Sequence, residues 1–398
     1  MSFCTENLRD EMTAWRHDFH RFPELGFDES RTSARVAELL ENFGLQVYSG
    51  VGKTGVVGVL QNGNATRSIG LRADMDALPI TEVNTFCHKS KNDGVMHACG
   101  HDGHTAMLLG AAKYLAENRD FSGRVVFIFQ PAEEHGKGGP AMIADGLFER
   151  FPVDDVYAMH NMPGMDVATF ATRTGAIMAS EALFEIEVLG QGGHAAMPHQ
   201  GVDAIVVGAE IITALQTIVS RKLNPGLNGV VSVTDFRTDG QRNVLPGRAV
   251  LTGDARALNR DVNHQIEHKM RQIVEGICMA HGVSGSVTYD TAFEVTINAA
   301  QPTAHATASA IALAGEPAVN PDIPPVLASE DFAHMALTRP GCFIFTGNGT
   351  AGRFAQPLHS ADYDFNDEAL VPGSSFWVTL VEQQLREKTD CRTDGNGL

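Results

Sequence analysis

The sequence predicts an α/β fold in which a mainly parallel sheet carries helices on both faces and is interrupted by an inserted α+β domain of ferredoxin-like type. Three observations predict it. Strand-like apolar runs alternate with helical periodicity in the first part of the chain, half-exposed alternating strands take over near Ala182, and the first texture returns after Phe293. A length of 398 residues supports two domains, and an apolar content of 43% gives each a core.

The elements follow in order. Leu8, Met12, Trp15 and Phe19 recur at helical spacing, and Val36, Leu39, Leu40 and Phe43 do so again after a break at Pro23 and Gly26. Strand-like runs cover residues 55–60, 68–72, 124–129 and 156–159, with a helix over 105–117 between the second and third. Such alternation implies parallel strands buried on both faces. In the insertion, Phe184, Ile186 and Val188 alternate with Glu185 and Glu187. A helix over 202–221, strands over 229–236 and 249–256, a helix over 262–281 and a strand over 284–293 complete a β-α-β-β-α-β order, with one sheet face covered by helices. A helix over 303–314, a strand over 342–346 and a closing helix over 369–387 resume the first domain. The expected division is residues 1–182 and 296–398 for the metal-binding domain and residues 183–295 for the insertion, with a polar tail from Thr389 that is expected to fray.

A net charge of −18 argues against nucleic acid, whose phosphates reward clustered Lys and Arg. Residues 1–13 lack the basic front and apolar middle of a signal peptide, which leads to a cytoplasmic expectation. The most apolar helical stretch, residues 204–219, contains Glu210 and is short for a bilayer, so no membrane segment is expected. Cys4, Cys87, Cys99, Cys278, Cys342 and Cys391 lack paired spacing and are expected to be free thiols in a reducing compartment.

Chemistry concentrates in the run from His97 through Cys99, His101 and Asp102 to His104. Thiolate and imidazole suit a borderline-soft divalent ion, and Cys99 with His101 can point the same way from an extended turn. His97 and His104 read equally well as hydrogen bonders at a helix start. Glu133 and Glu134 follow Pro131 where the 124–129 strand runs out, so that one can grip a metal while the other faces its water; a solvated acidic loop is the competing reading. His160 ends another strand, Asp74 and Asp76 end a fourth, and His359 lies in a loop before the last helix. Open α/β sheets gather ligands at the carboxyl ends of their strands, so these residues are expected to converge. In the insertion, His194 in a Gly-rich loop can donate to a developing oxyanion or be a solvent histidine, and Asn243 is equally open.

The segments Arg16 to Leu25, Asp74 to Pro79, the Cys99 cluster, Glu133-Glu134, Gly193-His194 and His359 to Asp367, in that order over nearly the whole chain, resemble the metal-dependent amidohydrolases of the aminoacylase and carboxypeptidase clan, particularly the hippurate and indole-acetyl-amino-acid hydrolase branch. The resemblance implies two divalent ions per subunit, Zn²⁺ or alternatively Mn²⁺. Cys99 would bridge them, with His101 and His160 on one and Glu134 and His359 on the other. Glu133 would be the general base, Asn243 would hold the substrate carboxylate, and His194 would serve its own or a partner's site. It also implies that the insertion is a lid that pairs subunits into a homodimer or homotetramer. Asp74 stands where the peptidase branches carry a metal His, and Cys99 where they carry a bridging Asp.

The expected reaction is cleavage of an N-acyl amino acid by metal-activated water, with Glu133 taking the proton and returning it to the leaving nitrogen. Three rivals are a dipeptidase or aminopeptidase on the same site, a hydrolase with Cys99 as nucleophile, and a non-catalytic metal-dependent binding protein.

Overall fold

A computed structural model describes residues 3–386; Cys391, the tail from Thr389 and the end of the expected closing helix at Glu387 lie outside the described residues. The chain divides into two compact units. The first comprises Met1–Thr174, Asn298–Ile323 and His334–Leu398, and the second Gly175–Ile297 with Pro324–Ala333.

In the first unit the strand Ser68–Asp74 is buried along its whole length. Ile69, Leu71 and Ala73 face one core, while Gly70 on the other side lies against Val156, Ile128 and Val153. Burial on both faces marks an inner strand of a parallel sheet. It pairs in parallel with Gly123–Gln130 on one side and Asp155–Pro163 on the other, and the latter pairs in parallel with Gly341–Gly349. All four strands therefore end on the same edge. The helix His101–Asn118 packs on Ser68–Asp74 and on the closing helix Leu370–Gln384.

An antiparallel pair, Gln46–Val51 and Gly55–Asn62, extends this sheet to one side, and the short strands Phe170–Ala171 and Val319–Asn320 extend it to the other, giving eight strands. The strand Gln46–Val51 was not expected, because it is exposed at four of its six positions and carries no alternating apolar run. The helix expected from Thr105 begins at His101 instead, since Gly100 in the left-handed region (φ 97°) starts it a turn earlier. His101 and His104 thus sit in its first turn.

The second unit is a four-stranded antiparallel sheet in the order Gly229–Thr238, Arg248–Ala257, Ser180–Leu189, Ser284–Phe293. Ala182, Phe184, Ile186 and Val188 face a core shared with the helices Ala204–Thr217 and Arg260–His281. Both helices have side-chain caps: Asp203 accepts from Ile205 N at 2.9 Å, and Asn259 from Asp261 N at 2.8 Å. Pro324–Ala333 joins this unit through hydrogen bonds from Val326 N to Ile177 O and from Ala179 N to Ala328 O, a non-local pairing that periodicity does not reveal.

A π-helical turn carries the first of these helices on to Lys222. At 19 residues and a mean hydropathy of 1.4, Ala204–Lys222 is then long and apolar enough to cross a bilayer by length and composition, which corrects the expectation that it is too short. Its inner face, including Val207, Ile211 and Leu215, is packed in the core, and Glu210 meets His281 at 2.7 Å, as suits the core helix of a folded unit.

At Gly103, helix His101–Asn118 makes an approach that leaves no room for a side chain. A Cβ on Gly103 would overlap the ring of buried Phe365. Gly103→Ala is therefore expected to lower unfolding stability by about 1–3 kcal/mol, the usual cost of overpacking a core. Urea unfolding of the two proteins side by side measures it, and unchanged stability would show that the Phe365 loop yields freely.

Candidate functional site

The strands that end on one edge bring five of the expected side chains together. Cys99 Sγ lies 3.3 Å from His160 Nε2. Cys99, His101 and His160 each offer a ligand atom within 4.8 Å of the others, as do Cys99, Glu134 and His359. Cys99 belongs to both groups. Glu134 Oε2 is 3.4 Å from His359 Nε2, and Glu133 Oε2 is 4.0 Å from His101 Nε2.

Neighbouring groups aim the ligand atoms. His101 Nδ1 meets the Asp76 carbonyl at 2.9 Å and Asp76 Oδ1 at 3.2 Å, while Asp76 Oδ2 accepts from Glu134 N at 3.0 Å. One carboxylate thus fixes both the ring plane of His101 and the backbone of Glu134. His160 Nδ1 donates to Asn161 O at 2.7 Å, which turns Nε2 toward the thiol. Asp74 accepts from Arg72 at 2.6 Å and from His104 Nδ1 at 2.6 Å, and His104 Nε2 accepts from Asn161 N at 3.0 Å. His104 is accordingly a hydrogen bonder. His97 is not: it is buried, neither ring nitrogen has a hydrogen-bond partner, and burial lowers its pKa to about 4.

Two ligand atoms are left over. His101 Nε2 and Glu134 Oε1 are buried and have no hydrogen-bond partner, although such atoms in folded proteins almost always have one. The electrostatics point the same way. Burial and the nearby Asp76 push Glu134 up to about 7. Burial disfavours the charged form of His101, yet the carboxylate of Asp74 outweighs it and pushes the ring well above its ordinary range. Burial and Glu134 push the Cys99 thiol well up, which removes the low-pKa thiolate a cysteine nucleophile needs. Burial pushes His160 well below its ordinary range. A donor set of thiol, imidazole and carboxylate with buried polar atoms left without hydrogen-bond partners fits divalent cations, which displace the protons such groups carry.

Several side chains given no role from the sequence complete the surroundings. Asn161 Nδ2 donates to Tyr363 OH at 2.6 Å, and a Cβ on Gly100 would come within 2.7 Å of the same hydroxyl. Below the helix start, Asp102 meets His20 Nδ1 at 2.8 Å and Arg16 at 3.5 Å, all three buried. Arg16, His20 and Tyr363 lie inside segments that carry the family resemblance, and that was the one signal for them in the sequence.

His194 and Asn243 belong to the second unit. A two-residue ribbon pairs Gly193–His194 with Val244–Leu245, and Ala195 N donates to Asn243 O at 3.0 Å, so these two residues are neighbours. His194 Nδ1 accepts from Ala196 N at 3.0 Å, which leaves Nε2 as the protonated nitrogen of the neutral ring. Both side chains are exposed.

Comparison with known proteins agrees with this architecture. Residues 70–383 match the family model described as peptidase family M20/M25/M40. The chain is 41% identical to the hippurate hydrolase of Campylobacter jejuni over 380 residues, covering 96% of this chain and 98% of that one. It is 42% identical to an N-acyl-L-amino acid amidohydrolase of Geobacillus stearothermophilus over 74% of this chain and 79% of that one. Among solved structures, a Bacillus subtilis dinuclear metal-binding peptidase of the M20 family superposes with a TM-score of 0.83 at 29% identity, over 96% of this chain and 99% of that one. The chain therefore belongs to peptidase family M20/M25/M40 and is a metal-dependent hydrolase of linear amides.

Proposed function

We propose that this enzyme cleaves the amide bond of N-acyl amino acids, releasing a carboxylic acid and a free amino acid. The observation that carries the reading is the meeting of Cys99, His101, Glu134, His160 and His359 at the sheet edge, with two ligand atoms unpartnered and Glu133 beside them. The hippurate and N-acyl-amino-acid activities named for its relatives support the substrate class.

Cys99 would be shared by two divalent cations, with His101 and His160 completing one set and Glu134 and His359 the other. Zn²⁺ suits the thiolate and imidazoles, and Mn²⁺ is the alternative that the carboxylate allows. When bound, the cations act as Lewis acids and bring the pKa of a coordinated water down to about 7. Glu133 takes a proton from the attacking water and passes it to the leaving nitrogen. His194 donates its Nε2 proton to the developing oxyanion, in its own or a partner subunit, and Asn243 holds the substrate carboxylate.

The second unit serves as a lid and pairs subunits into a homodimer or homotetramer. Exposed Ile205, Val206 and Val219 on its first helix support a contact there. A cytoplasmic location accords with Cys4, Cys87, Cys99, Cys278 and Cys342 being free.

The reading is tested by a hydrolysis screen over N-acetyl, N-benzoyl and indole-acetyl amino acids on protein of known metal content. Cleavage that is lost on chelation and restored by Zn²⁺ or Mn²⁺ is expected. Activity surviving complete metal removal would favour Cys99 as nucleophile, and binding without cleavage would favour a binding protein. Glu133→Gln is expected to keep its metal and lose about 10²–10⁴-fold in kcat, the usual range for a general acid-base; retained turnover would refute the assignment. Because Cys99, His101 and Glu134 hold protons in the metal-free protein, metal uptake should release protons and tighten as pH rises through about 7. Calorimetry in two buffers of different ionisation enthalpy reads the proton release directly, and a pH-independent affinity would contradict it.

A further inference from the structure

The turn that carries Glu133 and Glu134 has an unusual support. Ala132 adopts φ 52°, in the left-handed region that a residue with a Cβ rarely occupies. Its amide donates to Glu29 Oε1 at 2.8 Å, and Glu29 Oε2 accepts from Thr54 Oγ1 at 2.6 Å. Glu29 is fully buried. Its carboxylate therefore gives up hydration and holds the Ala132 N–H, one residue before Glu133, in the conformation that aims the next two carboxylates.

The loop around Glu29 is fitted to the same turn. A Cβ on Gly26 would come within 2.5 Å of His135 Nε2 and 3.0 Å of Ala132 Cα, so the two backbones are in close contact. Phe27, itself at φ 68°, packs its ring 5.6 Å from that of His135, and Lys53 lies over its other side at 3.9 Å. At its start the loop is tied to the segment of Asp76: Ala77 N donates to Glu24 O at 2.9 Å, and Leu25 bridges Ala77. Pro23–Glu29 thus spans from the Asp76 segment to the Ala132–His135 turn.

We propose that Glu29 is a positioning residue for the reaction, acting through Ala132 to fix the direction of Glu133; the proposal rests on Glu133 being the general base. Glu29 touches neither substrate nor ligand atoms. Its effect is geometric: without the carboxylate, Ala132 relaxes toward negative φ and turns the Glu133 side chain away from the water it must deprotonate. A misplacement of about 1 Å at a reacting group costs on the order of 100-fold in rate.

The test compares Glu29→Ala, Glu29→Asp and Glu29→Gln with the parent holoenzyme on one N-acyl amino acid that it cleaves, with kcat, KM, metal content and circular dichroism measured on each preparation. Glu29→Ala is expected to lose about 100-fold in kcat while KM stays within a few-fold and both metals are retained. Glu29→Gln should keep most of the activity, because its amide oxygen still accepts from Ala132 N–H and the Thr54 hydroxyl can reverse its direction. If Glu29→Ala does not fold, Glu29→Asp decides, since a carboxylate one methylene shorter keeps the charge but falls short of Ala132. Parental kcat in the folded Ala or Asp variant would overturn the proposal, as would a loss in step with missing metal or a Gln variant as impaired as the Ala variant. Failure of the base assignment is read separately, from Glu133→Gln that remains active.

Discussion

The arrangement depends on one electrostatic constraint: Asp74, Asp76, Glu133 and the Cys99 thiol are buried at a single sheet edge, with the barely accessible Glu134 among them. Like charges so placed cannot all ionise unless positive charge enters with them. Arg72 answers for Asp74, which also accepts from His104, and Asp76 is occupied by His101 and the amide of Glu134. Beyond these lie Cys99 and Glu134, whose acid forms burial favours even with His101 beside them. A bound cation reverses that preference and converts the same crowding into binding energy.

Backbone conformation does much of the aiming. Ala132 and His359 both lie in the left-handed region, at φ 52° and 65°, and each stands at or beside a side chain of the candidate site. Such conformations persist where surrounding contacts over-determine them. Ala132 is held by Glu29, and His359 N donates to Ala98 O at 2.8 Å, which ties the loop of His359 to the residue before Cys99. Gly100 serves the opposite purpose, since its missing Cβ lets Asn161 and Tyr363 close over the start of the helix.

The legible part of the sequence was the part governed by local periodicity. The alternation of Phe184, Ile186 and Val188 with charged neighbours reads as a one-sided strand, and the short run Ile69-Gly70-Leu71 as part of a two-sided one, because side-chain burial follows directly from strand geometry. The candidate site residues were legible as a convergence, since His160 and Glu134 stand at or just past strand ends and the dense cluster around Cys99 and His101 marks the start of a helix. The antiparallel strand Gln46–Val51 was invisible, because its stability comes from hydrogen bonds to Gly55–Asn62 rather than from an apolar pattern. The attachment of Pro324–Ala333 to the second unit, the pairing of Glu29 with Ala132 and the tie between Asp76 and Glu134 share that origin: each is a contact between distant segments made by one or two polar atoms.

The same edge shows how a strand end and a helix start are locked together. Asp74 is held by Arg72 and His104, while His101 stands in the first turn of a helix that Gly100 starts early. From the helix its Nδ1 turns back to the Asp76 carbonyl and carboxylate, so the ring is aligned by the segment that follows the strand Ser68–Asp74. Asp76 is thereby the shared anchor of His101, through its carbonyl and Oδ1, and of Glu134, through Oδ2, so one residue with three contacts sets the position of these two side chains relative to each other.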